Sequence, residues 1–190
     1  MGRLFTGCLL ICATVCATTA VRAAQPIAIC HAYGCNASTE VRFSDAELKE
    51  LHRFFVGVRN AEEERDTAAR VVGLFYLLAG KQSPVWQDHG ENDDDEELIG
   101  RMDCIDHSTN TTVFLRLMQQ SAWLRFHDVA EPVQRGFWAA HWAARLIERA
   151  DGSEWIIDSW FFDPGRPAAV FPLDTWRRGA APIGFKETWQ

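Results

Sequence analysis

Two segments in the first half of the chain place apolar residues three or four positions apart, the spacing of a helix that buries one face. In the first segment these residues are Leu48, Leu51, Phe54 and Phe55. Ser44 and Glu47 precede them with the spacing of a capping box, in which each side chain accepts a hydrogen bond from a backbone N–H. The pattern therefore predicts a helix that begins directly after Ser44, behind an extended or irregular lead-in over residues 24–43.

The second helical segment covers residues 61–78 and has an acidic first turn, which suits the positive end of the helix dipole. Its apolar residues are Ala68, Val71, Val72, Phe75 and Leu78. Gly80 is the expected end of this helix, because glycine commonly terminates helices. A third helix is predicted from Asp103 or Cys104 to about Gln120.

After residue 126 the pattern becomes that of a sheet. Residues 137–147 predict a buried strand, and Asp151-Gly152 is a hairpin turn signal. Residues 154–162 predict the partner strand, and a short strand is expected at 169–171. Helices followed by a small antiparallel sheet predict an α+β fold in one domain, residues 24–190.

Residues 1–23 have the pattern of a secretory signal peptide: an early arginine, a short apolar stretch and small residues ending at Ala23. The sequence therefore predicts a periplasmic or secreted protein, with no stable membrane span after cleavage. Removing this segment leaves 17 basic and 26 acidic side chains, a net charge of −9. Such an acidic balance argues against nucleic acid as a partner, because phosphate binding depends on Lys and Arg.

Three of the six cysteines lie in the predicted signal peptide. Cys30 and Cys35 are close enough in sequence for a small disulfide loop, which an oxidising compartment favours. The alternative is that both cysteines and His31 hold a metal ion. If the disulfide forms, Cys104 is the unpaired thiol, and its presence in an exported chain needs a chemical reason.

The polar stretch 88–97 is rich in acids but lacks the alternating spacing and the glycine of a calcium loop, so a solvated loop is expected. A zinc site is a second metal hypothesis. Cys104 and His107 have the C-x-x-H spacing of zinc ligands, and His127 or His141 would complete the set.

Cys104, His141 and Asp158 follow one another in the order of a thiol nucleophile, its base and the group that orients the base. A thiol attacks as the thiolate, which a helix N-terminus and a neighbouring imidazolium both favour. His141 and Asp158 lie on opposite arms of the predicted hairpin. The imidazole needs its second nitrogen held, and a carboxylate serves that purpose.

These motifs resemble those of the bacterial transglutaminase-like cysteine peptidases, a branch of the papain-like fold. The stretch Asp103-Cys104-Ile105-Asp106 is similar to that family's D-C-x-D, His141 precedes an apolar strand, and Trp155-Ile156-Ile157-Asp158 follows an Asp-Gly turn. The resemblance covers about residues 61–163.

The resemblance implies a papain/transglutaminase-like core, a Cys104–His141–Asp158 catalytic triad and a protein or peptide substrate. No cofactor is predicted, although the resemblance allows calcium at Asp106 in some members. The backbone N–H of Cys104 is the expected oxyanion donor, with Trp86 or Gln87 as side-chain candidates.

A third hypothesis is a non-catalytic periplasmic binding module on the same fold. Aromatic residues near the end of the chain are the candidates for a peptide or glycan groove: Trp155, Trp160, Phe161, Phe162 and Trp176.

Overall fold

A β-hairpin opens the part of the chain that the computed structural model describes, residues 25–91 and 97–183. The predicted signal peptide and residues 92–96 of the acidic stretch lie outside these ranges. Strands β1 (Ile27–His31) and β2 (Ala37–Val41) pair antiparallel over the segment for which the sequence predicted only a lead-in. The hairpin forms because it buries Ile29 and Val41 in the main core.

Three helices follow in the predicted order. Helix α1 (Asp45–His52) begins at the Ser44 capping box, and α2 (Ala61–Gly80) is capped by the Asn60 side chain. Helix α3 (Cys104–Gln120) begins at Asp103, whose carboxylate accepts from two backbone N–H groups of the first turn. These starts agree with the sequence predictions for all three helices, and in each of them a side chain at the residue before the helix accepts from the first turn. Short 3₁₀ turns span Arg53–Phe55 and Pro84–Gln87.

The sheet is antiparallel, with its four strands in sequence order. They are β3 (His127–Arg135), β4 (His141–Glu148), β5 (Glu154–Asp158) and β6 (Ala169–Pro172), and a short helix α4 (Leu173–Arg177) follows. The fold is thus α+β with a small antiparallel sheet, as predicted.

Two strand predictions need correction. The strand predicted over 137–147 begins only at His141, because residues 136–140 form the turn that joins β3 to β4. Gly136 adopts a left-handed backbone there, with a φ of 70°. The partner strand ends at Asp158 rather than at 162, and β3 itself was not predicted, since its mixed exposure gives no clear alternation.

The sheet separates two apolar clusters. The main core lies on the face covered by α2 and α3 and includes Ile157 of β5. On the other face, Ile156 packs with Leu173 and Trp176 of α4. Successive residues of a strand point to opposite faces, so Asp158 projects on the same side as Ile156, toward α4. Within residues 25–91 and 97–183, no helix combines the length and apolar character needed to cross a bilayer.

A buried carboxylate ties α2 to the start of β3. Glu64 is inaccessible to solvent, and its oxygens accept from the backbone N–H groups of Arg125, Phe126 and His127 at 2.6–3.2 Å. The His127 imidazole adds a fourth donor at 2.9 Å. Burial alone would raise the pKa of Glu64, but these hydrogen bonds outweigh it and lower the pKa below its usual value of 4.5.

We therefore expect Glu64→Gln to lower the free energy of unfolding by about 2 kcal/mol at pH 7, because it replaces a charged acceptor by an amide that cannot satisfy every donor. A lowered folded-state pKa stabilises above the unfolded-state pKa, so the difference from wild type should be complete above pH 5. It should shrink as the pH falls below 4.5. Denaturant titrations across this range measure it. Glu62→Gln, at an exposed position of the same turn, should have little effect.

Candidate active site

Cys104 occupies the first position of α3 and is partly exposed. Asp103 and Asp106 form a capping box around it: Asp103 Oδ1 accepts from the N–H groups of Ile105 and Asp106, and Asp106 Oδ2 accepts from the N–H of Asp103. The two aspartates of the D-C-x-D sequence therefore form a helix start. As a result, the Cys104 thiol lies at the positive end of a 17-residue helix.

The structure brings His141 and Asp158 into contact. The β4–β5 register pairs Ala144 with Ile157, so His141 lies a few residues beyond the position directly opposite Asp158. The imidazole nevertheless reaches the carboxylate, with 2.7 Å between Nε2 and Oδ2. The β-strand register and the side-chain reach together make this contact.

Asp158 is almost completely buried, with 1% of its side chain exposed, and it has three donors. Besides His141, Oδ2 accepts from the indole N–H of Trp176 at 2.9 Å, and Oδ1 accepts from the backbone N–H of Trp160 at 3.3 Å. A buried carboxylate that is hydrogen-bonded on both oxygens keeps a fixed orientation. Helix α4, which carries Trp176, therefore supports the carboxylate that orients the imidazole.

Cys104 completes the set. Its thiol lies 3.8 Å from the carbonyl oxygen of Ala140, the residue before His141, and it is close enough to the His141 imidazole to affect its protonation. Because Asp158 engages Nε2, the ring nitrogen that remains for the thiol is Nδ1. The three residues predicted from their order in the sequence thus form one connected chain of contacts.

His141 has an unusually high pKa. Burial alone would lower it, but the hydrogen bonds with Asp158 and Cys104 and the charges of both partners raise the pKa from 6.5 to about 9. The imidazole is therefore protonated at neutral pH. An imidazolium beside a thiol favours the thiolate, the nucleophilic form.

Aromatic rings enclose the imidazole. Their centroids lie 4.9 Å away for Trp160, 5.8 Å for Phe161 and 5.7 Å for Trp176. The β3–β4 turn, whose Ala140 contacts the thiol, also carries Phe137 and Trp138, which are 84% and 95% exposed. Exposed aromatic rings of this kind are surfaces that bind apolar groups.

The two side-chain candidates for the oxyanion hole lie in different surroundings. Gln87 Oε1 accepts from the backbone N–H of Gly100, in the segment that leads to Cys104. Trp86 is 64% exposed and lines an apolar groove with leucines of α1 and α2. The N–H of Cys104 is among the first four of α3, which have no intrahelical acceptor, so it is a suitable backbone donor.

A buried polar network behind the thiol was not predicted. His107, one turn after Cys104, contacts Asp88 Oδ2 through Nε2 and Ser159 Oγ through Nδ1, both at 3.0 Å. Ser159 also contacts Thr111, and Asp88 Oδ1 accepts from the N–H of Met102. The only trace in the sequence is the helical spacing of Cys104, His107 and Thr111, which places them along one side of α3.

The structure does not bring the predicted zinc ligands together. Both ring nitrogens of His107 have the partners just described, and His127 is engaged by Glu64 and Arg65. Cys30 and Cys35 form the expected disulfide, and His31 contacts Thr39 and the carbonyl of Ile99. In the described ranges, the side chains that come within ligand distance as a group are Cys30, Cys35 and Asp106, and the disulfide consumes both thiols.

Asp106 does not fit a calcium ligand either. It is fully buried, and its two oxygens accept from the backbone N–H groups of Cys35 and Asp103. Calcium takes six to eight oxygen ligands, and both oxygens of this carboxylate already accept N–H hydrogen bonds.

We expect Asp158→Asn to bring the pKa of His141 down from about 9 toward 6.5, because it removes the charge and the strongest favourable hydrogen bond. Since the folded-state pKa is raised, the interaction stabilises fully below pH 6.5, and this stabilisation is lost as the pH rises through 9. Titration of the imidazole by ¹H–¹⁵N NMR measures the change. Asp151→Asn, in the turn at the far end of the same hairpin, should leave the titration unchanged; an equal shift there would contradict the assignment.

Comparison with known proteins adds no relative: the chain matches no family model, no curated protein and no solved structure.

Proposed function

We propose that this protein is a cysteine-dependent hydrolase or acyl transferase that acts on peptide or amide bonds. Cys104 is the nucleophile, His141 the acid and base, and Asp158 the residue that orients His141. The observation that carries the proposal is the partly buried imidazole of His141, which hydrogen-bonds the Asp158 carboxylate and follows Ala140, whose carbonyl oxygen lies 3.8 Å from the thiol at the start of α3. The resemblance to transglutaminase-like cysteine peptidases of the papain-like fold agrees with these roles.

In the first half of the reaction, the Cys104 thiolate attacks the carbonyl carbon of the amide. The negative charge that develops on the oxygen is stabilised by the N–H of Cys104 and by the dipole of α3. His141, protonated at neutral pH because of its raised pKa, gives its proton to the leaving nitrogen. The carbon–nitrogen bond breaks, and a thioester on Cys104 and a free amine result.

In the second half, neutral His141 takes a proton from an acceptor while that acceptor attacks the thioester. Water as acceptor gives a carboxylic acid, and an amine gives a new amide; in both cases the thiol of Cys104 is released. Asp158 keeps Nδ1 directed at the sulfur in both halves, because it holds Nε2 and is itself held by Trp176. This division of roles is that of a catalytic triad.

Two features support an exported enzyme in our proposal. The Cys30–Cys35 disulfide is typical of proteins that fold in oxidising compartments. The N-terminal sequence has the pattern of a signal peptide.

The proposal predicts that Cys104 of the full chain reacts with iodoacetamide at pH 7 and that His141→Ala slows this reaction about tenfold, because the imidazolium no longer favours the thiolate. Mass spectrometry of the tryptic peptide 102–116 locates the adduct. Hydrolysis of fluorogenic peptidyl amides should be abolished by Cys104→Ala and fall by a factor of about 10²–10⁴ in His141→Ala.

His52→Ala, an exposed histidine on α1, is the matched control and should change neither rate. A Cys104 that alkylates equally fast in the His141→Ala variant would contradict the proposal. If that result came with tight binding of peptides, it would favour the non-catalytic binding module.

The exposed pair Phe137 and Trp138 predicts a preference for substrates with a large apolar side chain near the bond that is cleaved. Trp138→Ala should raise KM for such substrates about threefold to tenfold, through lost aromatic contact area, and should leave the Cys104 alkylation rate unchanged. The control is Phe54→Ala, which removes an aromatic ring that is 42% exposed and belongs to the 3₁₀ turn after α1. This substitution should not change KM. An unchanged KM in Trp138→Ala would show that Phe137 and Trp138 are not part of the substrate site.

A further inference from the structure

The Cys30–Cys35 disulfide loop is attached to the first turn of the helix that carries the thiol. Gly34 donates its backbone N–H to Asp103 Oδ2 at 2.8 Å, and Cys35 donates its N–H to Asp106 Oδ1 at 2.7 Å. These two carboxylates are the same ones that cap α3 around Cys104. The two carboxylates of the capping box therefore also accept hydrogen bonds from a segment about 70 residues earlier in the chain.

The loop has an uncommon backbone. Ala32, Tyr33, Gly34 and Cys35 follow one another with φ values of 68°, 59°, 61° and 58°. L-residues pay roughly 1–2 kcal/mol each for this left-handed conformation, and only Gly34 adopts it without that cost. Such a conformation persists only where surrounding constraints enforce it, and here the constraints are the disulfide and the contacts with α3.

Of the two carboxylates, Asp106 depends more on its hydrogen-bond donors, because solvent cannot replace them. It is fully buried, and burial together with the neighbouring charge of Asp103 raises its pKa to about 6, although the N–H of Cys35 acts in the opposite direction. Without the N–H of Cys35, one carboxylate oxygen would lose its donor in a buried site, which is costly. The geometry of the helix start therefore depends on where the disulfide loop lies.

We propose that Asp106 is a positioning residue that holds the Cys104 end of α3 to the Cys30–Cys35 loop, so that the reactivity of Cys104 depends on whether this disulfide is intact. The inference rests on the proposed function only in treating Cys104 as the nucleophile. It adds a redox dependence that the triad by itself does not contain.

The redox step needs a dithiol reductant. Its thiolate attacks the sulfur of Cys35, which is the exposed cysteine of the pair, and releases the Cys30 thiolate. The second thiol of the reductant then releases Cys35 and closes the reductant's own disulfide. Cys30 and Cys35 end as two thiols, the reductant loses two electrons, and the loop is no longer closed.

The test measures the iodoacetamide rate of Cys104 on the tryptic peptide 102–116, in the full chain before and after reduction with dithiothreitol and removal of the reductant. We expect the rate to fall about tenfold on reduction and to recover on reoxidation. Cys30→Ser combined with Cys35→Ser should give the low rate permanently. A rate unchanged within twofold by both reduction and the double substitution would overturn the proposal.

Asp106→Asn provides a readout in the oxidised protein. The amide has a single acceptor oxygen, so it can serve only one of the N–H groups of Cys35 and Asp103, and the Cys104 rate should fall severalfold and respond less to reduction than the wild-type rate does. Because this substitution removes a poorly tolerated buried charge, the melting temperature should change little, whereas a merely structural role would lower melting temperature and leave the rate unchanged. That latter result would contradict the proposal.

Ser44→Ala is the matched control. It removes the capping box of α1, in which Ser44 and Glu47 hydrogen-bond each other, and it should lower stability without affecting the Cys104 rate or its response to dithiothreitol. The His141→Ala variant separates the two proposals. If reduction lowers the Cys104 alkylation rate but His141→Ala does not, the triad is contradicted and the positioning role is supported. If His141→Ala lowers this rate but reduction does not, only the positioning role is contradicted.

Discussion

A central helix with polar side chains on its buried faces has to find a hydrogen-bond partner for each of them, and this constraint organises the molecule around α3. The side-chain amide of Asn110 is buried and exchanges two hydrogen bonds with the backbone of Cys30, which fixes the β1–β2 hairpin. Thr111 and His107 contact Ser159 at the end of β5, which fixes the sheet. Leaving any one of these groups without a partner would cost about 1–3 kcal/mol.

The same constraint determines the site. The contacts of α3 with Ser159 fix the distance from the helix to the adjacent Asp158, and Asp158 in turn orients His141. The helix start lies against the turn that precedes His141, through Cys104 and Ala140. The roles proposed for Cys104 and His141 require that the residues behind them have fixed positions, and a set of buried polar contacts holds those residues here.

The sequence predicted those parts that depend on local rules. The Ser44–Glu47 capping box placed the start of α1, and apolar spacing with an acidic first turn placed α2. The Asp-Gly turn placed the β4–β5 hairpin, and the compact Cys30–Cys35 spacing predicted the disulfide. The order of Cys104, His141 and Asp158 predicted which side chains come together.

What could not be predicted depends on contacts between distant segments. The β1–β2 hairpin has only five-residue strands, and its partner is an asparagine 80 positions away. The roles of Glu64 and Asp88 arise from backbone N–H groups in other segments, which no side-chain pattern reveals. The link between Asp106 and the disulfide loop combines a left-handed turn with a helix cap, two features whose proximity only the tertiary structure shows.

The central claim is that Cys104 forms a covalent acyl intermediate with the help of His141. The most direct measurement is intact-protein mass spectrometry after rapid mixing with the p-nitrophenyl ester of an N-blocked aromatic amino acid, followed by mapping of the acyl group. We expect one acyl group on the peptide 102–116 that forms within the dead time and is lost on turnover, with much slower formation in His141→Ala. An acyl group on another residue, or equal rates of formation in both proteins, would contradict it.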